Sequence, residues 1–173
     1  MAIDQSILVQ KAAAYQDALH ESMRKSASLG TAKSAFLCHS HKDETLVKGL
    51  LAQFQEVGID LYINWKDHSM PETPNVETAK KIQDAIKTRS LFFLLATANA
   101  KASRWCPWEI GYADSSVRKI FIIPTADGAG TYGNEYLQLY SRIDLGSYGA
   151  QSGLAVFGAG MTKGEWLSAA SLR

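Results

Sequence analysis

The sequence predicts an α/β fold: a doubly wound parallel sheet of about five strands with helices on both faces. Three observations predict it. Leu91-Phe92-Phe93-Leu94-Leu95 and Ile120-Phe121-Ile122-Ile123 are continuously apolar, as strands are when helices cover both faces of a parallel sheet. Strand-like and helix-like segments alternate from Ala35 to Pro124. The second strand alternates instead, with Ile59, Leu61, Ile63 and Trp65 on one face and Asp60, Tyr62 and Asn64 on the other. One wetter face marks an edge strand, and an edge position there fits the flavodoxin-like order 2-1-3-4-5.

In chain order, Asp4 caps a helix from about Gln5 to Ala27, in which Ile7, Leu8, Ala12, Tyr15, Ala18, Leu19 and Met23 recur at helical spacing. Gly30 stops it. Residues 1–30 are not needed to complete a βα repeat and read as an accessory helix, packed on the flank or used in assembly; residues 31–173 form the domain. Ala35 to Ser40 is a short apolar strand, and His41-Lys42-Asp43-Glu44 leads into a helix bearing Leu46, Val47, Leu50, Leu51, Phe54 and Val57 that Gly58 ends. A polar loop from Lys66 to Thr73 follows the edge strand. Thr73 as N-cap and Pro74 at the first helical position then open a helix with Ala79, Ile82, Ala85 and Ile86 on its buried face. Past Pro124, Asn134 to Tyr140 reads as a short helix and Ser141 to Leu145 as a fifth strand. Gly146 to Gly160, rich in Gly, Ser and Ala without periodicity, reads as loop, and Thr162 with Glu165 as the capping box of a final helix through Trp166 and Leu172.

Composition narrows the function. A chain of 173 residues with 46% hydrophobic content holds one domain with a full core. The net charge of +1 arises from 18 basic and 17 acidic residues without a basic stripe, which argues against a nucleic-acid partner. The apolar runs fall far short of the roughly 20 residues of a membrane span. The N-terminus carries no secretory pattern, so the expected location is the cytoplasm. Cys38 and Cys106 form no CxxC pattern, in keeping with a reducing compartment. Cys38 reads as packing within a strand; Cys106 lies near a helix start, where thiolates are favoured, but has no His beside it.

The stretch from Ser103 to Ala113 is the chemical centre of the chain. It places one carboxylate, Glu109, among Trp105, Trp108 and Tyr112 just past the end of the Leu91–Ala96 strand. Open α/β sheets bind ligands at that end, and the switch point of the 2-1-3-4-5 order brings Phe36–Asp43 beside Ala98–Glu109. Glu109 is either a solvated helix-surface carboxylate or one set in a pocket that stacks a flat ligand. Gly128-Ala129-Gly130-Thr131-Tyr132-Gly133 matches GxGxxG but follows the fourth strand and lacks the acidic residue of a dinucleotide fingerprint, so it reads as a turn. His39 and His41 lie on one side of an extended segment without a third ligand at recognisable spacing, and no metal site is expected. GxSxG, HExxH and Walker sequences are absent.

Phe36-Leu37-Cys38-His39-Ser40-His41-Lys42-Asp43, the loop around Pro71, and Ser103-x-Trp105-Cys106-x-x-Glu109 together resemble the motifs of a bacterial Toll/interleukin-1 receptor (TIR) domain over about residues 33 to 145. The third motif also resembles the WxxxE pattern of bacterial members. The resemblance implies cleavage of NAD+ at the nicotinamide–ribosyl bond, releasing nicotinamide with ADP-ribose or a cyclic isomer, with NAD+ as substrate and no separate cofactor. It implies Glu109 as the catalytic carboxylate, and Phe36, His39, Ser40, Lys42, Trp65, Ala98, Trp105, Trp108 and Tyr112 as substrate-binding residues. No second effector domain is legible, so the expectation is an enzyme of anti-phage defence whose nucleotide product activates a separate effector protein. Self-association through loop 66–75 is expected to complete the pocket. The alternative is a non-enzymatic adaptor that docks other TIR domains.

Overall fold

The computed structural model describes residues 2–15, 33–63, 75–117 and 119–172. In chain order the elements are β1 (Ile3–Asp4), α1 (Gln5–Tyr15), β2 (Lys33–Cys38), α2 (Glu44–Glu56), β3 (Ile59–Tyr62), α3 (Val76–Lys87), β4 (Leu91–Ala96), α4 (Ala98–Ala102), α5 (Cys106–Ser116), β5 (Lys119–Ala126), β6 (Thr131–Tyr132), β7 (Ser141–Tyr148), β8 (Gln151–Phe157) and β9 (Gly164–Trp166). The sheet runs β3-β2-β4-β5-β7-β8-β9, with β1 and β6 paired to the far end of β5. From β3 to β7 every pairing is parallel, and β3 lies at the edge.

Side-chain alternation divides the core between the two faces of this sheet. Ala35, Leu37, Phe93, Leu95, Phe121 and Ile123 pack beneath α1 and α2 with Leu8, Leu50 and Phe54. Phe36, Cys38, Phe92, Leu94, Ile120 and Ile122 face α3 and α5 with Ile82, Ile86 and Ile110. The continuous apolar runs of β4 and β5 are therefore two alternating sets, each covered.

The N-terminal segment joins the first of these cores. Ile3 pairs with Thr125, and Gln5 Nε2 donates to Thr125 Oγ1 at 2.9 Å. Asp4 caps α1 by accepting from the Ser6 N–H at 2.8 Å. A Cβ on Gly49 of α2 would stand 1.9 Å from the Leu8 carbonyl oxygen, so only glycine lets the two helices approach this closely. The rest of the helix expected to Ala27, and its Gly30 stop, lie outside the described residues.

Several expectations are corrected. Helix α3 begins two positions after Pro74, with Asn75 as N-cap. Its side chain accepts from the Thr78 N–H at 3.0 Å while Thr78 Oγ1 accepts from the Asn75 N–H at 3.1 Å, a reciprocal box that Thr73 has no part in. Asn134–Tyr136 forms a single 3-10 turn instead of a helix to Tyr140. The stretch read as loop, Gly146 to Gly160, is mostly strand: β7 runs on to Tyr148, turns through Gly149 and Ala150, and pairs antiparallel with β8. Gly149, at φ 59°, supplies the left-handed residue that a two-residue hairpin connection requires. The final helix is absent among the described residues; Gly164–Trp166 is strand β9, paired with Ala155–Phe157. The sheet therefore exceeds the expected five strands, growing past β7 by antiparallel addition.

Candidate active site

The winding reverses between β2 and β4, whose pairing brings Cys38 level with Leu94. The two strands release their following segments side by side, and such a reversal opens a crevice at the carboxyl ends. Asp43 spans this crevice. It occupies the N-cap position of α2 but makes no side-chain bond to that helix. Instead Thr97 Oγ1 donates to its Oδ2 at 2.5 Å and Asn99 Nδ2 to its Oδ1 at 2.6 Å. Thr97 at the same time accepts from the Ala100 N–H at 2.9 Å and so caps α4. The turn His41–Asp43 is thereby tied to the segment that leads to α5.

Helix α5 starts at the residues expected. Ser103 Oγ accepts from the backbone N–H groups of Trp105 and Cys106 at 3.1 and 3.3 Å. Pro107 falls in the first turn, where its missing N–H has no intrahelical partner to lose. Helical spacing then separates two stripes. Cys106, Ile110 and Ala113 face the sheet, whereas Trp105, Trp108 and Tyr112 form a band along the flank. Trp105 meets Trp108 edge-on at 5.4 Å, and Trp108 stacks on Tyr112 at 6.0 Å and 18°. Trp108 is the exposed member.

Glu109 lies between the stripes and is only 3% exposed. Burial pushes its carboxyl up to about 7, opposed by the Cys38 thiol, which donates toward it. A carboxylate this dry is stabilised in its ionised form by any cation brought beside it.

The other candidates are placed as follows. Phe36 is fully buried in the core on the sheet face toward α3 and α5 and stacks on Phe92 at 5.6 Å. His39 is buried; its Nδ1–H donates to the Leu37 carbonyl at 2.9 Å, and burial lowers it to about 4, so the ring is neutral near pH 7. Ser40 caps the short turn by accepting from the Lys42 N–H, and Lys42 is exposed. Ala98 is exposed at the first position of α4. Trp65 and residues 66–74 lie outside the described residues. Sequence reasoning took Cys38 as packing and placed Asp43 beside the Ala98–Glu109 stretch without a role, and it singled out neither Thr97 nor Asn99.

Of two cavities, one adjoins this region and the other lies away from it. One of about 60 Å³ opens beside Cys106 and Pro107, lined also by Thr97, Lys101, Tyr132 and Tyr136. A larger cleft of about 620 Å³, lined by Lys119, Ser141 and Lys163 among others, lies at the amino ends of β5 and β7, the opposite end of the sheet from Glu109. Of the stretch Gly128 to Gly133, Gly128 to Gly130 lie in the turn between β5 and β6 and Thr131–Tyr132 are β6 itself, with Asp127 Oδ1 accepting from the Ala129 and Gly130 N–H groups at 3.0 Å.

A doubly wound sheet carrying a buried glutamate at its switch point has the architecture of α/β domains that bind ligands at the carboxyl ends of their strands. Residues 35–152 match the TIR domain family, and the chain belongs to it. Over 118 residues it is 32% identical to a Bacillus cereus (strain MSX-D12) protein named "Probable 3' cyclic ADP-D-ribose synthase ThsB'", covering 65% of this chain and 61% of that one. Over 101 residues it is 26% identical to a Cytobacillus dafuensis protein named "Putative cyclic ADP-D-ribose synthase TIR2", covering 54% of this chain and 26% of the other. The chain thus spans less than two thirds of either relative. Among the described residues, no helix is long and apolar enough to cross a membrane.

Proposed function

We propose that the protein cleaves NAD+ at the nicotinamide–ribosyl bond, with Glu109 as the catalytic carboxylate, and that a cyclic ADP-ribose isomer is among its products. The observation that carries the reading is Glu109 itself: a carboxyl buried to 3% exposure and shifted to about 7 at the carboxyl end of the sheet. Breaking the glycosidic bond to a cationic nicotinamide builds oxocarbenium character on the ribose. A desolvated carboxylate near that ribose stabilises the developing charge, as in glycoside hydrolysis. The cationic ring, on binding, draws Glu109 toward its ionised form.

Trp105, Trp108 and Tyr112 supply aromatic faces for the flat rings and screen the reacting carbon from water. Excluding water lets a nucleophile of the substrate's own adenine or ribose capture the ribosyl centre, which is how a cyclic product forms. The names of both relatives support a cyclic product over simple hydrolysis. Assembly of TIR surfaces through loop 66–75 completes the pocket, and the released nucleotide acts as a defence signal on a separate effector protein.

The test is mass spectrometry of NAD+ incubated with concentrated protein, wild type beside Glu109→Gln. Nicotinamide from wild type alone is expected, and the mass of the second product separates ADP-ribose from its cyclic isomer. No nicotinamide from either protein, also after forced assembly, would overturn the reading and leave an adaptor that docks other TIR domains.

A further inference from the structure

The only two cysteines of the chain, 68 positions apart in sequence, meet in the wall of the Glu109 site. We propose that Cys106 and Cys38 are a redox-modification site: a thiol pair that hydroperoxide closes to an intramolecular disulfide and a thiol reductant reopens. Cys38 ends β2 on the sheet face toward α5, and its Sγ stands 3.9 Å from the carbonyl oxygen of Cys106 in the first turn of that helix. Each thiol acts on the other directly. Both are reduced in the structure.

The surroundings give the two sulfurs different roles. The small cavity beside Pro107 reaches Cys106 and has room for a molecule of the size of peroxide, whereas Cys38 is sealed in the core. Cys106 has its thiol lowered, first by the Cys38 thiol and further by Ser103, while burial raises Cys38 well above the ordinary range. Cys106 is therefore the attacking thiolate. Its sulfur takes one peroxide oxygen, the O–O bond breaks, and the departing hydroxide is protonated to water, leaving a sulfenic acid. Cys38 then loses its proton and attacks the Cys106 sulfur; the S–S bond forms, the S–O bond breaks, and a second water leaves. Two electrons from the thiol pair reduce one peroxide to two waters.

The consequence for chemistry rests on the NAD+-cleaving reading. Around Glu109, Cys38 faces it from β2 and Cys106 from its own helix, while Asp43 acts on Cys106 and is itself committed to Thr97 and Asn99. Oxidation removes the Cys38 S–H, the hydrogen bond that favours the ionised carboxylate. The oxidised enzyme thus holds Glu109 protonated to higher pH.

The test treats reduced wild-type protein with limiting hydrogen peroxide, blocks remaining thiols under denaturing conditions and maps the digest by mass. The expected result is a peptide pair joined through Cys38 and Cys106, lighter by two hydrogen atoms and separated by dithiothreitol, in a chain that stays monomeric on non-reducing gels. Free Cys38 beside a sulfinic or sulfonic Cys106, or a disulfide between chains, would overturn the proposal. In NAD+ turnover, the acid limb of the oxidised enzyme moves to higher pH, and reductant restores it. Identical limbs in the two redox states would overturn the coupling to Glu109. A cross-link in a protein that turns over no NAD+ in either state would instead refute the NAD+-cleaving reading, since the mapping does not depend on activity.

Discussion

Asp43 and Glu109 are both 3% exposed carboxyl groups at the carboxyl end of the same sheet, yet their surroundings differ in kind. Asp43 receives two short hydrogen bonds, from Thr97 and Asn99, that repay its desolvation and tie two loops together. Glu109 has burial as its dominant influence and a thiol, a weak donor, against it. Equal burial thus yields a clamp in one place and a high-energy carboxylate in the other. A buried carboxylate opposed only by a weak donor among the described residues keeps its charge available for a substrate, at the expense of stability.

The largest expected effect falls on catalysis. Glu109→Gln preserves shape and removes charge, and should lower kcat for nicotinamide release by roughly 10²- to 10³-fold, the scale on which single electrostatic stabilisers act. Retention of more than a tenth of wild-type kcat would move Glu109 out of the catalytic role.

Stability should change in opposite directions at the two sites. Asp43→Ala leaves the Thr97 hydroxyl and the Asn99 amide facing a buried gap and should reduce unfolding free energy by about 2–3 kcal/mol in urea titration. Glu109→Gln should instead stabilise the protein at pH 8. The folded-state value of about 7 exceeds the ordinary 4.5, so the native state holds its proton more tightly than the unfolded chain. Wild-type stability from this group is therefore full below pH 4.5, falls as pH rises from 4.5 to 7, and reaches a deficit of roughly 3 kcal/mol above that. The difference in unfolding free energy between Glu109→Gln and wild type should grow across that window and level off. A flat difference from pH 4.5 to 8 would remove the contrast between the two carboxyls.

Activity should follow the opposite course with pH. The working form of Glu109 is ionised, so kcat/KM for NAD+ should rise through about pH 7, the value in the free protein. The limb of kcat should lie lower, because the bound nicotinamide cation favours the carboxylate. Coincident limbs would mean that the cation does not sit beside Glu109.

The same contrast explains what was legible in the sequence. The strands β4 and β5, the start of α5 and the position of Glu109 follow from apolar runs, Pro107 and helical spacing, all of them local signals. Asp43 precedes a helix, where an aspartate ordinarily caps, and its bonds to Thr97 and Asn99 cross 54 and 56 positions that no local rule spans. Cys38 obeys strand alternation, but its meeting with Cys106 depends on how α5 lies against β2. The β7–β8–β9 extension was hidden for a related reason. A Cβ on Gly146 or Gly153 would come within 3.5 or 3.7 Å of the Trp166 ring, so one distant side chain covers a face that would otherwise need its own apolar residues. Gly164 stands where a Cβ would meet the Val156 carbonyl oxygen at 2.4 Å, which explains why a glycine interrupts what looked like a helix start.

The smallest predicted effect tests whether the aromatic band belongs with Glu109 or only flanks it. Trp108 is the exposed ring of the band and rests on Tyr112 without entering either core, so Trp108→Ala should change unfolding free energy by no more than about 1 kcal/mol. If the band stacks a substrate ring in ground and transition state alike, the variant should raise KM for NAD+ several-fold and leave kcat nearly unchanged. A fall in kcat with unaltered KM would place Trp108 in contact with the reacting centre, and the site would then extend from the buried carboxylate to the surface of α5. Unchanged values of both would confine the chemistry to the crevice between β2 and α5, with the partner side of the pocket supplying the stacking face.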